Sequence, residues 1–383
     1  MKTVNIYIFI DWYLPAYKAG GPIQSIANLV AQREEGVNYR IVCGNRDLDG
    51  TRIDVATDRW LRLNNWTEIY YCAKGTGPEL WGTEKDTLFI NGIYSWHFNI
   101  RPILFARAKR KIVSGRGMLN TEALAQKSFK KKIFLTVWNL LGVNRRVEFH
   151  AASREEAAAI RSIFGDKITV HVAHNFPRVF QQQPVAEKRP GYLELVSVAL
   201  ISPMKNILLV LQALKKVKAT VHYHIYGPVK EAPYWQDCLA LIETLPSNIT
   251  VKHHGDVVPH GVEAALQQGQ VFILPSKFEN FCHAIYEALT AGKPVITSHN
   301  TPWKGLETAK AGNNVGTEDE NELAAAIQAF AEMDKPALQE WSEGARLYAE
   351  GAINLEDIQT QYRRMFHLAG KKEQAREVIK TED

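Results

Sequence analysis

Long apolar runs are missing from this 383-residue chain. No stretch approaches the roughly 18–20 apolar residues needed to span a bilayer as a helix, which excludes channels and transporters of helical type. Cysteine is scarce. Cys43, Cys72, Cys238 and Cys282 show no CxxC spacing, which argues against a disulfide scaffold or a cysteine zinc site and fits a reducing compartment. Net charge is small: 46 basic against 41 acidic residues leave +5, too little to indicate a nucleic-acid partner by itself. The opening "MKTVNIYIFIDWYLP" does not read as a leader, because Asp11 interrupts the apolar run after about seven residues. A cytoplasmic protein is therefore expected. Internal repeats and low-complexity tracts are absent as well.

What is present is alternation. With 46% hydrophobic residues the chain can build two ordinary cores. Short apolar segments at 4–10, 39–44, 87–92, 110–115 and 146–153 read as buried strands, with helices such as 22–33 and 121–141 between them. The pattern repeats at 193–200, 221–227, 249–255, 271–275 and 294–298. Strand–helix alternation predicts parallel sheets covered on both faces. The segment "FPRVFQQQPVAEKRPGY" (176–192) lacks periodicity and reads as the linker. A last helix is expected at about 355–369, followed by a charged tail. Two doubly wound domains joined by a linker imply a cleft between sheet carboxyl ends, where ligands bind.

Two local features carry charge. Between Arg101 and Lys132 ten basic residues face one acid, Glu122. Such a region suits an anionic membrane surface, a phosphate-bearing substrate or nucleic acid, and equally a solvated helix face. The second is "SKFENFCHAIYEALTAG", in which Glu279 and Glu287 stand eight residues apart. Glu279 is expected in a loop and Glu287 inside the helix that follows, which Gly292 stops. Between them the helix start offers free N–H groups and a partial positive charge for a phosphate. A carboxylate on each side can accept hydrogen bonds from neighbouring sugar hydroxyls. A sugar, a diphosphate and a ribose in one ligand match that order. Asp47-Leu48-Asp49 has the spacing of a metal-holding acid pair, but it follows an early strand, far from this segment, and no metal is expected.

The string "PSKFENFCHAIYEALTAGKPVITS" resembles the E-x7-E signature of retaining glycosyltransferase family 4. "PAYKAGGPIQSIANLV", "SGRGMLNTEALAQKSFKKKIF", "AHNFP", "LISPMKN", "IYGPVKEAPYWQ", "HGDV" and "TPW" are similar to further pieces of that family, in order along most of the chain. The resemblance implies an α/β fold of GT-B architecture, two doubly wound Rossmann-like domains facing a central cleft. Residues 1–180 would bind the acceptor and 181–354 the nucleotide sugar. Residues 355–383 would form a helix packing back on the first domain, and a charged tail. It also implies roles. Glu279 would hold the transferred sugar and Glu287 the ribose. Lys205 and Asn206 would meet the diphosphate, Gly20 and Gly21 would let backbone approach it, and Gly255 and Val257 would bind the base. Asn280, Phe281, Cys282 and His283 would line the donor at the helix start. Glu279, Lys205 and Arg116 are the expected catalytic set.

Several positions depart from the family pattern, among them Ala199, which stands where glycine is usual. Leu200 stands where an arginine usually partners Lys205, and Cys282 replaces a glycine. Loss of a guanidinium aimed at diphosphate removes about 2–4 kcal/mol of transition-state stabilisation, and Arg116 is the expected compensator. The resemblance implies a retaining, metal-independent hexosyltransferase of bacterial polysaccharide biosynthesis. Its donor would be UDP- or GDP-linked, with no cofactor and no nucleic-acid partner. The acceptor would be a growing surface glycan or a lipid-linked one, with peripheral contact between residues 101–132 and the inner membrane face. The alternative, motivated by Leu200, is a nucleotide-sugar-binding pseudo-enzyme or assembly subunit.

Overall fold

The computed structural model of the chain describes residues 3–119, 128–182 and 187–368. These divide into two compact units: the first holds the residues up to Phe176 and those from Leu355 onward, the second Pro177–Asn354. The border thus falls at the head of the expected linker, and the chain returns to the first unit at Leu355.

The first unit is an eight-stranded sheet of β1 Val4–Ile10, β2 Val37–Gly44, β3 Trp60–Asn64, β4 Thr67–Cys72, β5 Thr87–Asn91, β6 Arg110–Ser114, β7 Glu148–Ala151 and β8 Val170–Val172. Its order is β3-β4-β2-β1-β5-β6-β7-β8. Every pairing is parallel except β3 with β4. The central strands are continuous apolar runs because both faces are covered; Ile6, Ile8, Phe9, Leu88, Phe89 and Ile90 are fully buried. Helices α1 Gly21–Ala31, α2 Arg101–Phe105, α3 Ser128–Leu140 and α4 Arg154–Phe164 belong to this unit. Pro22 occupies the first turn of α1, where its missing N–H costs nothing. Ser153 caps α4 by accepting from the Glu156 N–H at 3.2 Å.

The second unit is a six-stranded parallel sheet of β9 Tyr192–Val198, β10 Thr220–Tyr226, β11 Ile249–His253, β12 Val271–Leu274, β13 Val295–Ser298 and β14 Gly312–Val315, in the order β11-β10-β9-β12-β13-β14. Its helices are α5 Ile207–Leu214, α6 Ala232–Ile242, α7 Val262–Gln267, α8 His283–Thr290, α9 Glu320–Glu332 and α10 Lys335–Ala352. The acidic run 317–322 works as a cap, Asp319 accepting from the N–H groups of Asn321 and Glu322 at 2.9 and 3.0 Å. The fold is the two-domain α/β class that alternation predicts.

Helix α11 Leu355–Met365 buries Ile358, Tyr362 and Met365, one face at i, i+4 and i+7. Tyr362 stacks on Phe176 at 5.3 Å, Phe366 meets Phe89 edge-on at 5.6 Å, and Arg363 pairs with Glu34 at 2.9 Å. These partners all belong to the first unit.

Close backbone contact fixes one turn of the second unit. Gly227 follows β10 with φ 134°, and a Cβ there would lie 1.9 Å from the Ala199 carbonyl oxygen. Both sides are main chain, so no side chain can move aside. Gly227→Ala should lower stability by roughly 2–4 kcal/mol, read as the denaturation midpoint; an unchanged midpoint contradicts this reading of the turn.

Candidate active site

In the second sheet β9 and β12 are neighbours, and the chain proceeds from them in opposite directions, through β10 to β11 and through β13 to β14. The carboxyl ends of β9 and β12 therefore flank the topological switch point, where open parallel sheets take their ligands. The sequence puts Lys205 and Asn206 in the loop after β9, and Glu279 in the loop after β12.

The structure brings these together. The Lys205 ammonium forms an ion pair with the Glu279 carboxylate, their side chains 22% and 11% exposed. Burial pulls the lysine pKa down, but Glu279 and Cys282 outweigh it and the net shift is upward, so the lysine stays charged. The loops are also joined by backbone, the Lys277 N–H donating to the Met204 carbonyl at 2.8 Å. Asn206 is the buried joint: its φ is 61°, and its carboxamide donates to the carbonyls of Pro275 and Thr317 at 3.2 and 2.9 Å. Its side chain holds the loops in register, leaving backbone as its means of reaching a ligand.

Helix α8 begins beside this pair. Cys282 is its capping residue with φ 64°, the left-handed conformation that glycine adopts without strain. Its side chain is half-buried, and burial and then Glu279 push the thiol pKa well up, so it is no nucleophile. Phe281 packs edge-on to His283 at 4.8 Å and to Trp303 at 5.3 Å, while the Trp303 indole N–H donates to the Phe281 carbonyl at 2.5 Å. Asn280, with Phe281 and His283, is half-buried at this tip. Trp303, of the segment "TPW", comes from the loop after β13, so no spacing rule reveals its contact with Phe281. Glu287 lies one turn into α8 and is 6% exposed. Burial raises its pKa to about 7, with Arg178 acting in the opposite direction. Gly255, with φ 77° and open space where a Cβ would stand, accepts from the Gly227 N–H at 2.8 Å. Together with half-buried Val257 it lies in the loop after β11, at the same end of the sheet.

Gly20, Gly21 and Arg116 belong to the first unit. Gly20 caps α1 with φ 71°, and neither glycine has a heavy atom within 4 Å of where a Cβ would sit. The backbone is thus open to a close approach. Arg116 donates to the Asn91 carboxamide oxygen at 2.9 and 2.7 Å and to that of Asn175 at 2.6 Å, above the Phe89 ring. Several of the ten basic residues of 101–132 are tied down in the same way. Arg110 forks onto Glu148 at 2.9 and 2.7 Å, Lys111 donates to the Ile103 carbonyl at 2.8 Å, and Arg101 to that of Thr76 at 2.8 Å. Lys127 lies outside the described residues. Asp47 accepts from the backbone N–H groups of Tyr17 and Lys18, and Asp49 pairs with Lys18 at 2.7 Å. The acid pair therefore pins the loop after β1. Among the described residues no group of three or more potential metal ligands occurs.

Residues 179–348 match the family model of glycosyl transferases group 1, nearly the whole second unit. No curated protein matches the chain in sequence. Among solved structures, sucrose-phosphate synthase from Thermosynechococcus elongatus is similar at a TM-score of 0.70 and 15% identity, over 96% of this chain and 100% of that one. HepE of Anabaena, solved with UDP and glucose, gives 0.66 and 16% over 96% and 100%. WaaG, a glycosyltransferase involved in lipopolysaccharide biosynthesis, gives 0.62 and 13% over 95% and 99%. The likeness establishes the GT-B class of fold, two Rossmann-like domains.

Burial of Glu287 gives the stability of the second unit a pH dependence of definite sign. The Glu287 pKa is raised from 4.5 to about 7, so its favourable contribution is complete below pH 4.5 and is lost as pH rises through 7. Glu287→Gln removes a buried charge without changing shape. It should stabilise the free protein by roughly 2–4 kcal/mol at pH 8, a gain that shrinks towards zero at pH 5. A gain independent of pH contradicts the assignment.

Proposed function

We propose that the chain is a retaining, metal-independent glycosyltransferase of family 4. It moves a hexose from a UDP- or GDP-sugar to a hydroxyl of a growing surface glycan or lipid-linked oligosaccharide in the bacterial cytoplasm. The observation that carries this reading is the meeting of Lys205 and Glu279 at the switch point, beside the start of the helix α8 that carries buried Glu287. The diphosphate would lie on the backbone N–H groups of 281–284, with Lys205 turning from Glu279 to the phosphate. The released carboxylate of Glu279 would then accept from the sugar hydroxyls. Glu287 would accept from the ribose diol, whose hydroxyls supply the hydrogen bonds its burial lacks. In the transfer the anomeric carbon–diphosphate oxygen bond breaks, and a bond to the acceptor oxygen forms on the same face. The acceptor proton passes to the departing phosphate oxygen, so no protein base is required. HepE, solved with UDP and glucose, and WaaG, of lipopolysaccharide biosynthesis, support a nucleotide sugar and a glycan acceptor by analogy of fold.

Leu200 favours a second reading, a donor-binding subunit without transfer. It is half-buried in the loop that carries Lys205. Arg116 is held by two asparagines, so it would act on the diphosphate only with those bonds kept or broken at a cost. Within the second unit two cations lie on segments bonded to this loop: the Lys277 N–H donates to the Met204 carbonyl at 2.8 Å and the Lys230 N–H to the Ile201 carbonyl at 3.0 Å.

A panel of UDP- and GDP-sugars separates the readings. The right donor at 100 times its dissociation constant should raise stability by about 2.7 kcal/mol and be consumed with an acceptor extract. Lys205→Ala should reduce transfer about 10²–10³-fold. Donor binding with neither hydrolysis nor transfer establishes the binding-subunit reading; absence of any shift across the panel overturns both.

A further inference from the structure

The first sheet has a switch point of its own. From β1 the order runs through β2 and β4 on one side and through β5, β6 and β7 on the other. Ile10 pairs with Asn91, and Asn91 with Ser114. The loops after β1, β5 and β6 therefore leave the carboxyl end of the sheet side by side, where a ligand of this unit would bind.

Arg116, in the loop after β6, carries a charge that its surroundings leave uncompensated. Its backbone is left-handed, φ 48°, a conformation that costs energy in a residue with a Cβ. Glu156 holds the turn by accepting from the N–H groups of Gly117 and Ala152, both at 2.7 Å. The guanidinium donates to the carboxamides of Asn91 and Asn175, which are neutral. Arg110 and Arg40 of the same unit pair instead with Glu148 and Glu68, at 2.7 and 3.2 Å. Burial pulls the Arg116 pKa down, and Glu156 opposes this only through space. A guanidinium fixed in this way suits a carboxylate or a phosphate, which its planar fork can grip with two bonds.

The loop after β5 supplies a different surface. The Asn91 carbonyl accepts from the Asn99 carboxamide at 3.1 Å, and Asn99 accepts in turn from the Ser95 N–H at 3.0 Å. These bonds frame a single π-helical turn, Trp96–Ile100, a rare form concentrated at functional sites. Phe98 and Asn99 are buried in it, whereas Trp96 is 51% exposed. A tryptophan presented on an anchored turn offers a flat face to the C–H groups of a sugar ring. Asp11, at the end of β1 and hydrogen-bonded to Ser95, adds an acceptor for sugar hydroxyls. Asn91 thus ties a cation to an aromatic platform, a pairing that fits a carbohydrate bearing negative charge.

We propose that the carboxyl end of the first sheet binds an acidic carbohydrate, with Trp96 stacked on a sugar ring and Arg116 on the carboxylate or phosphate that the glycan bears. Under the proposed transfer this carbohydrate is the acceptor; that assignment rests on the transferase reading, whereas the binding does not. Arg116 then reads the acceptor and leaves the departing diphosphate to the second unit.

Binding of the full chain to an array of neutral, uronate-bearing and phosphate-bearing oligosaccharides tests this. Acidic glycans should bind about tenfold or more tightly than their neutral counterparts, and the class retained tells carboxylate from phosphate. Arg116→Gln should abolish the acidic preference, and Arg116→Lys, which keeps the charge but not the fork, should fall between. Trp96→Ala should weaken every bound glycan about tenfold without moving the thermal midpoint, since the side chain is exposed. Equal binding of neutral and acidic glycans, no binding to the array, or an acidic preference that survives Arg116→Gln overturns the proposal. So does loss of the UDP-induced thermal shift in Arg116→Gln, which assigns the arginine to the donor. Acidic-glycan binding in a protein that shows no shift with any nucleotide sugar removes the transferase reading alone.

Discussion

A single ion pair organises the candidate site. Lys205 and Glu279 come from loops that leave different strands, 74 residues apart in sequence, and meet because β9 and β12 are neighbours at the switch point of the sheet. Without ligand each neutralises the other in a half-buried place where either charge alone would be costly. A diphosphate and a sugar would exchange one internal pair for two external ones. The lysine would gain phosphate and the carboxylate would gain hydroxyls. Asn206, with its left-handed backbone and two carbonyl partners, ties the loop after β9 to those after β12 and β14.

The neighbouring groups extend the same logic. Glu287 is held near neutrality by burial, so a diol that donates to it would recover an ionisation the free protein suppresses. This opposes stability to binding: what makes the carboxylate a good acceptor makes it an unfavourable resident. Cys282 adds a second local cost, a side chain at a left-handed cap. Strain of this kind concentrates at ligand-binding loops because the surrounding structure holds it. The aromatic group of Phe281, Tyr286 and Trp303 is the support here, with Trp303 stacked on Tyr286 at 5.5 Å and bonded to the loop tip.

Much of this was legible in the sequence. The apolar runs 4–10 and 271–275 declared themselves because strands buried on both faces are largely apolar, and β1 and β12 lie there; 221–227 declared itself by alternation, Val221, Tyr223 and Ile225 of β10 being buried between half-buried His222 and His224. Less visible were β3 and β4, an antiparallel pair at the sheet edge in which polar residues alternate with apolar ones, and β14, whose "GNNV" has little strand propensity and is held by pairing with β13. The loop positions of Lys205 after β9 and of Glu279 after β12 were legible from the strand pattern, and their choice as candidates came from the family resemblance. Local spacing could not reveal the pairing partners. Asn91 and Asn175 around Arg116, Asp47 under the loop after β1, and Trp303 behind Phe281 are all contacts of tertiary origin. The basic stretch 101–132 shows the same limit, since composition counts charges but does not tell which already have partners.

Hydrogen exchange of the full chain with and without UDP is the most direct measurement of the central claim. Amides of 203–206 and 280–287 should become protected together on UDP binding, because the nucleotide would span both loops at the switch point. Binding that leaves those two segments unprotected and slows exchange elsewhere would contradict the account.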